Sequence, residues 1–115
     1  MAGTLREINI KSDMPVVDVA IKRITFQIRS LKASGAAAVK IIHGYGSTGT
    51  GGKIRTAARE YLAVQKSQKL ICDYIAGEDF SIFNESTRRA FLLCDDLRRD
   101  RDLDQYNNGI TIVIL

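Results

Sequence analysis

Residues 41–55 read Ile-Ile-His-Gly-Tyr-Gly-Ser-Thr-Gly-Thr-Gly-Gly-Lys-Ile-Arg. An apolar run stops at a glycine-dense stretch, and helical periodicity resumes after it. Five of the nine positions 44–52 are glycine, a density that resists both strand and helix, so the segment reads as strand, loop and helix in that order. Glycine lets backbone N–H groups approach a ligand closely, and a helix N-terminus carries positive potential. Lys53 and Arg55 fall in the first turn after the loop, and His43, the one histidine, immediately precedes it. The combination is that of a phosphate-binding site.

The rest of the chain alternates in the same way. Leu5–Ile10 alternates apolar Ile8 and Ile10 with Glu7 and Asn9, as a half-buried strand does. Ser12, Asp13 and Pro15 are helix-start signals, and Val17, Ala20, Ile21, Ile24, Ile28 and Leu31 recur at helical spacing as far as Ser34, with Gly35 as the stop. Val39–His43 is a second strand. Beyond the loop, Ile54, Ala57, Ala58, Tyr61 and Leu62 share one face of a helix, with Arg55, Arg59 and Lys66 on its exposed side. Leu70–Ile75 reads as a third strand, and Gly109–Leu115, rich in β-branched residues, as a buried fourth. Between them, residues 76–108 break the rhythm. Asn84 or Ser86 caps a helix through about Arg98 with Ala90, Phe91, Cys94 and Leu97 on its apolar face, and Asp100–Asp104 reads as a solvated charged turn. Helices alternating with strands predict an α/β sandwich in one domain, residues 1–115, with 76–108 as an inserted segment.

Charge is unevenly spread. Residues 1–69 hold twelve Lys and Arg against four acids, net +8, whereas residues 70–115 are net −4. The basic part carries the glycine loop, which suggests a polyanionic partner. Cys72 and Cys94 lie in apolar patterns far apart, which reads as a buried, reduced pair and a cytoplasmic setting. The absence of an apolar run near 20 residues gives the expectation of no membrane partner.

Other readings of the motifs fare less well. Gly44-Tyr45-Gly46-Ser47-Thr48-Gly49 matches the dinucleotide fingerprint G-x-G-x-x-G, with Asp73 as a ribose acid, but Thr50, Gly51 and Gly52 are expected to delay the helix and the chain lacks successive βαβ units. A P-loop would need glycine and a hydroxyl where Ser47 and Ile54 stand. Asp100–Asp104 opens like a calcium loop, but Gln105 and Thr111 occupy its glycine and glutamate positions. Asp95 and Asp96 are adjacent and do not share a helical face. A lone histidine excludes a multi-histidine metal site. His43 remains either a structural residue or a general acid–base. Tyr45 at the loop tip either stacks on a base or staples the loop.

The run Val39-Lys40-Ile41-Ile42-His43-Gly44-Tyr45-Gly46, the glycines that follow, and Lys53-Ile54-Arg55 together resemble the Smr (small MutS-related) domain. That family's signature is an apolar strand, H-G-x-G, and a helix opening with Leu-Arg or a similar pair. The closing Gly109-Ile110-Thr111-Ile112-Val113-Ile114-Leu115 is similar to its terminal strand. The resemblance implies a two-layer sandwich with a mixed four-stranded sheet and helices mainly on one face, like the C-terminal domain of translation initiation factor three. It also implies DNA or RNA as partner and, in several members, endonuclease activity. The family's L-D-x-H at the end of the first strand aligns with Ile8-Asn9-Ile10-Lys11, so an amide and a lysine replace the acid and the histidine. Residues 76–108 look like those of a small stand-alone bacterial subgroup.

The expectation is a nucleic-acid-binding domain whose phosphate contacts come from Lys11, Gly44, Tyr45, Gly46, Ser47, Thr48, Gly49, Lys53, Arg55 and Arg59. No cofactor is evident. The first alternative is an endonuclease with His43 as proton shuttle and a divalent metal. The second is a protein-interaction module whose partner surface is the acidic segment 76–108 with Phe80, Phe83 and Phe91.

Overall fold

The computed structural model describes residues 3–11, 15–44 and 50–115. Four strands, β1 (Leu5–Asn9), β2 (Ala38–Ile42), β3 (Asp73–Ala76) and β4 (Ile110–Ile114), form one sheet in the order β1-β2-β4-β3. β1 and β2 are parallel, and β4 lies antiparallel to both β2 and β3, so the sheet is mixed. Three α-helices join them: α1 (Val17–Ala33), α2 (Thr50–Ser67) and α3 (Glu85–Leu93).

α1 and α2 cover one face of the sheet. Ala20, Ile24 and Ile28 of α1 and Ile54, Ala58 and Leu62 of α2 pack on Ile8, Val39, Ile41 and Val113. The segment 76–108 covers the opposite face, where Phe80, Ala90, Phe91, Cys94 and Leu97 meet Ala38, Ile75, Ile110, Ile112 and Ile114. Successive strand residues point to opposite faces, so β2 and β4, covered on both, are apolar throughout except at Lys40 and Thr111. Phe80 and Phe91 are core residues, while Phe83 stays exposed. Gly77, at the start of a single 3-10 turn over Gly77–Asp79, sits where a Cβ would overlap the Asn107 carbonyl and lie 2.6 Å from Ile110 Cγ1. Only glycine fits the crossing from sheet to insertion.

Local chemistry sets the helix ends. Gly35 adopts φ 91°, and Gly35 N and Ala36 N donate to the carbonyls of Lys32 and Leu31, the Schellman arrangement its glycine predicts. α2 ends in the same arrangement through Lys69, at φ 62°, with Leu70 N donating to Gln65. That turn consumes Leu70, so the third strand begins at Asp73 rather than Leu70. Asn84 caps α3 by accepting from Thr87 N at 2.9 Å.

Several expectations are corrected. α3 stops at Cys94, whose extended backbone (φ −147°) breaks the helix before a 3-10 turn at Asp95–Arg99, so its apolar side chains reach the core from two elements. α2 begins at Thr50, so residues 50–52 form its first turn and do not delay it. The dinucleotide reading is excluded instead by topology, because the sheet holds one parallel pair. Cys72 is exposed and only Cys94 is buried, both as free thiols.

The Asp100–Asp104 turn is not simply solvated. Lys40 points from β2 into the face under this segment and is 1% exposed. Its Nζ lies 2.7 Å from Asp102 Oδ2 and 3.0 Å from Asp100, with Glu7 at 3.5 Å. Burial alone would lower the lysine pKa, but the hydrogen bonds and charges of Asp102 and Asp100 outweigh it and hold the ammonium protonated. Asn107 completes Asp102's shell at 3.1 Å. The insertion is thus clamped to the central strand by a buried ion cluster.

Candidate functional site

Because β1 and β2 are parallel and each is followed by a helix, α1 and α2 both start at the same end of the sheet. Two positive helix termini therefore gather where Lys11 follows β1 and His43-Gly44 follows β2. At that end β1 closes on β2 through Ile10 N and Lys11 N, which share the Ile42 carbonyl at 2.9 and 3.0 Å. Gly44 takes φ 78°, and the Lys11 Cγ and Cδ atoms lie 3.6 and 3.7 Å from where its Cβ would stand. Lys11, exposed, thus extends across the first glycine of the loop.

His43 is fully buried. Its Nδ1 lies 2.7 Å from the Gly44 carbonyl and its Nε2 2.8 Å from Thr111 Oγ1. A carbonyl only accepts, so Nδ1 carries the proton and Thr111 donates its hydroxyl to Nε2. Burial, reinforced by the charges of Arg59 and Arg55, lowers the pKa to about 4 against the opposing pull of the Gly44 carbonyl and Glu78. The ring is neutral at physiological pH, with both nitrogens committed inside the protein.

Arg59 is corrected from an exposed cation to the next link of this network. Its Nε donates to Thr111 Oγ1 at 3.1 Å, and its Nη2 reaches the Ile110 carbonyl at 3.2 Å. Its fork grips Glu78 through two bonds of 2.9 and 2.8 Å. Partial burial would raise the Glu78 pKa; the hydrogen bond and charge of Arg59, with Arg55 behind, prevail and lower it. One chain of contacts therefore runs from the loop's first glycine through His43, Thr111 and Arg59 into the insertion at Glu78.

Lys53 is exposed and Arg55 half-buried. Both line a cleft of about 520 Å³ with Val17, Gly52, Thr56, Ala57 and Glu60. A second cleft of about 340 Å³, on the other flank of α2, holds Arg55, Thr56, Arg59, Glu60, Ala63 and Tyr74. Lys11, Gly44, Lys53 and Arg55 are thus at one end of the molecule. Tyr45, Gly46, Ser47, Thr48 and Gly49 lie outside the described residues.

Comparison with protein-family models, with curated proteins and with solved structures finds no match to this chain.

Among the described residues no three His, Cys, Asp or Glu side chains are grouped to hold a metal. Among the described residues at the loop end, the donors are a neutral histidine with both nitrogens engaged, Glu78 gripped by Arg59, and Glu60 in the clefts, an ungrouped set among cations that does not fit a hard divalent ion needing several oxygens. Among the described residues no helix is long and apolar enough to cross a membrane. Thr111, Glu78 and the Lys40 cluster escape sequence reasoning. The one local signal is Thr111 itself, the single hydroxyl in the apolar run 110–115.

Proposed function

We propose that this chain is an Smr-like nucleic-acid-binding domain that contacts the phosphate backbone at the end of the sheet where α1 and α2 begin. The observation that carries the reading is the stem of Lys11 laid over Gly44, which brings this lysine to the same end as Lys53 and Arg55. Lysine at this position supplies a point charge for phosphate, and α2 adds the potential of its N-terminus. Arg59 acts indirectly, by fixing Thr111 and the loop's histidine.

Binding is favoured over cleavage. A proton shuttle needs a pKa near the working pH and access to the reacting group. His43 is buried, neutral and hydrogen-bonded on both sides. It serves the loop as an anchor, tying Gly44 to β4.

The test is equilibrium binding of labelled single-stranded, duplex and branched DNA and RNA across a salt series. Affinity should fall steeply with salt, and Lys11→Glu with Lys53→Glu should reduce it more than tenfold while flattening the salt slope. No salt-sensitive binding to any of these at micromolar protein would rule the reading out. Supercoiled plasmid and structured RNA incubated with divalent metals should remain intact. Cleavage lost in His43→Ala would restore the endonuclease reading.

A further inference from the structure

The outer face of α1, opposite its core residues Ala20, Ile24 and Ile28, is not an ordinary polar helix surface. Val19 and Phe26, seven residues apart, form its central row, and Phe26 is 70% exposed. Lys22 and Arg29 flank this row on one side and Arg23 on the other, all three exposed. The one acid of α1, Asp18, sits in its first turn, one turn before Lys22 and two turns before Phe26. A large exposed aromatic bracketed by three cations pairs a π-face with a positive track, the combination by which proteins hold unpaired bases beside their phosphates. The track starts from the same end of the sheet as the site described above. Val17, on the core side of the first turn of α1, lines the cleft that holds Lys53 and Arg55; Phe26 lies about 14 Å further along the helix at 1.5 Å per residue and half a turn round it, so a strand joining the two crosses over α1.

Building on the proposed nucleic-acid reading, we infer that the domain takes single strands: one end of the strand meets the Lys11–Lys53 end, and the chain then runs along α1 with a base stacked on Phe26 and phosphates against Lys22, Arg23 and Arg29. A duplex keeps its bases stacked on one another and offers Phe26 nothing. The ligand class is therefore single-stranded DNA or RNA of any sequence, because every base has a π-face.

The protein contains no tryptophan, so Phe26→Trp introduces one reporter at the inferred platform. Its fluorescence should be quenched on titration with a single-stranded oligonucleotide and not with the matching duplex. Phe26→Ala, at an exposed site that leaves the core intact by circular dichroism, should weaken single-strand binding about tenfold, leave duplex binding unchanged, and keep the wild-type salt slope, since no phosphate contact is lost. Quenching with unaltered binding in Lys11→Glu/Lys53→Glu would uphold the α1 platform and overturn the proposed loop site. Normal binding with no quenching and no effect of Phe26→Ala would overturn the platform alone. Absence of any binding would overturn both. A blue shift with phosphatidylcholine–phosphatidylserine vesicles but no response to oligonucleotides would overturn the platform by reassigning the face to a membrane surface.

Discussion

Thr111 Oγ1 stands 2.8 Å from His43 Nε2 and donates its hydroxyl to it. The same oxygen accepts from Arg59 Nε, so it donates in one direction and accepts in the other. His43 follows β2 and Thr111 lies on the neighbouring β4, on the face covered by α1 and α2, and their bond is the step that joins the glycine loop to the rest of the network.

Thr111→Val keeps the shape and removes the hydroxyl. His43 Nε2 and Arg59 Nε are then left without this partner inside the protein, at a cost of about 1–3 kcal/mol. Urea unfolding should show that loss, and Thr111→Ser should recover most of it. Nitrogen chemical shifts of His43 should report the Nδ1–H tautomer in wild type and in Thr111→Val alike, because the Gly44 carbonyl still requires the proton on Nδ1. An Nε2–H tautomer in the valine variant would show that Thr111 rather than Gly44 sets it.

Stability should fall with acidity above the range where carboxylates titrate. The folded His43 pKa is about 4, below its ordinary 6.5. Between these values the unfolded chain binds a proton that the folded one refuses, so stability is full above pH 6.5 and declines as pH drops towards 4. The whole decline is about 3 kcal/mol. Unfolding free energies measured from pH 7 to pH 5 should therefore slope in wild type and be nearly flat in His43→Gln; equal slopes would place the titration elsewhere.

Lys40→Met should be costly, although the new side chain is apolar and fits a buried position. It leaves Asp100 and Asp102, 8% and 14% exposed, beside one another without their cation. Breaking such a pair costs on the order of 3 kcal/mol. Adding Asp100→Asn and Asp102→Asn should return much of it, because neutral amides need no counter-charge. A Lys40→Met protein as stable as wild type would show that the cluster contributes little.

Lys69→Gly should stabilise the protein by about 0.5–1 kcal/mol. Lys69 holds φ 62° at the end of α2, a conformation that is strained for any side chain and free for glycine. The gain is partly offset by the greater freedom of glycine in the unfolded chain. A calorimetric melting temperature equal to or below wild type would count against it.

The sequence by itself determined what short-range chemistry governs. Period and punctuation located all four strands and three helices, Gly35 marked the end of α1, and Asn84 the start of α3. The β-branched run of β4 announced a buried strand. The glycines and cations of 44–55 marked one end of the sheet as special. It failed where a local pattern continues but the backbone does not, as at Cys94 and at the turn through Lys69.

Only the tertiary structure decided which charges are available. Arg59 and Arg55 look equivalent on a helical repeat, yet Arg59 is gripped by Glu78, nineteen residues on. Lys40 reads as one cation in a basic half, yet it is buried against carboxylates sixty and more residues away. His43 reads as either a structural residue or a general acid–base, and burial, with Thr111, 68 positions later, on its second nitrogen, decides for the neutral, structural one. A side chain's charge, exposure and proton depend on partners that the fold alone brings within hydrogen-bonding distance, and no spacing along the chain records those distances.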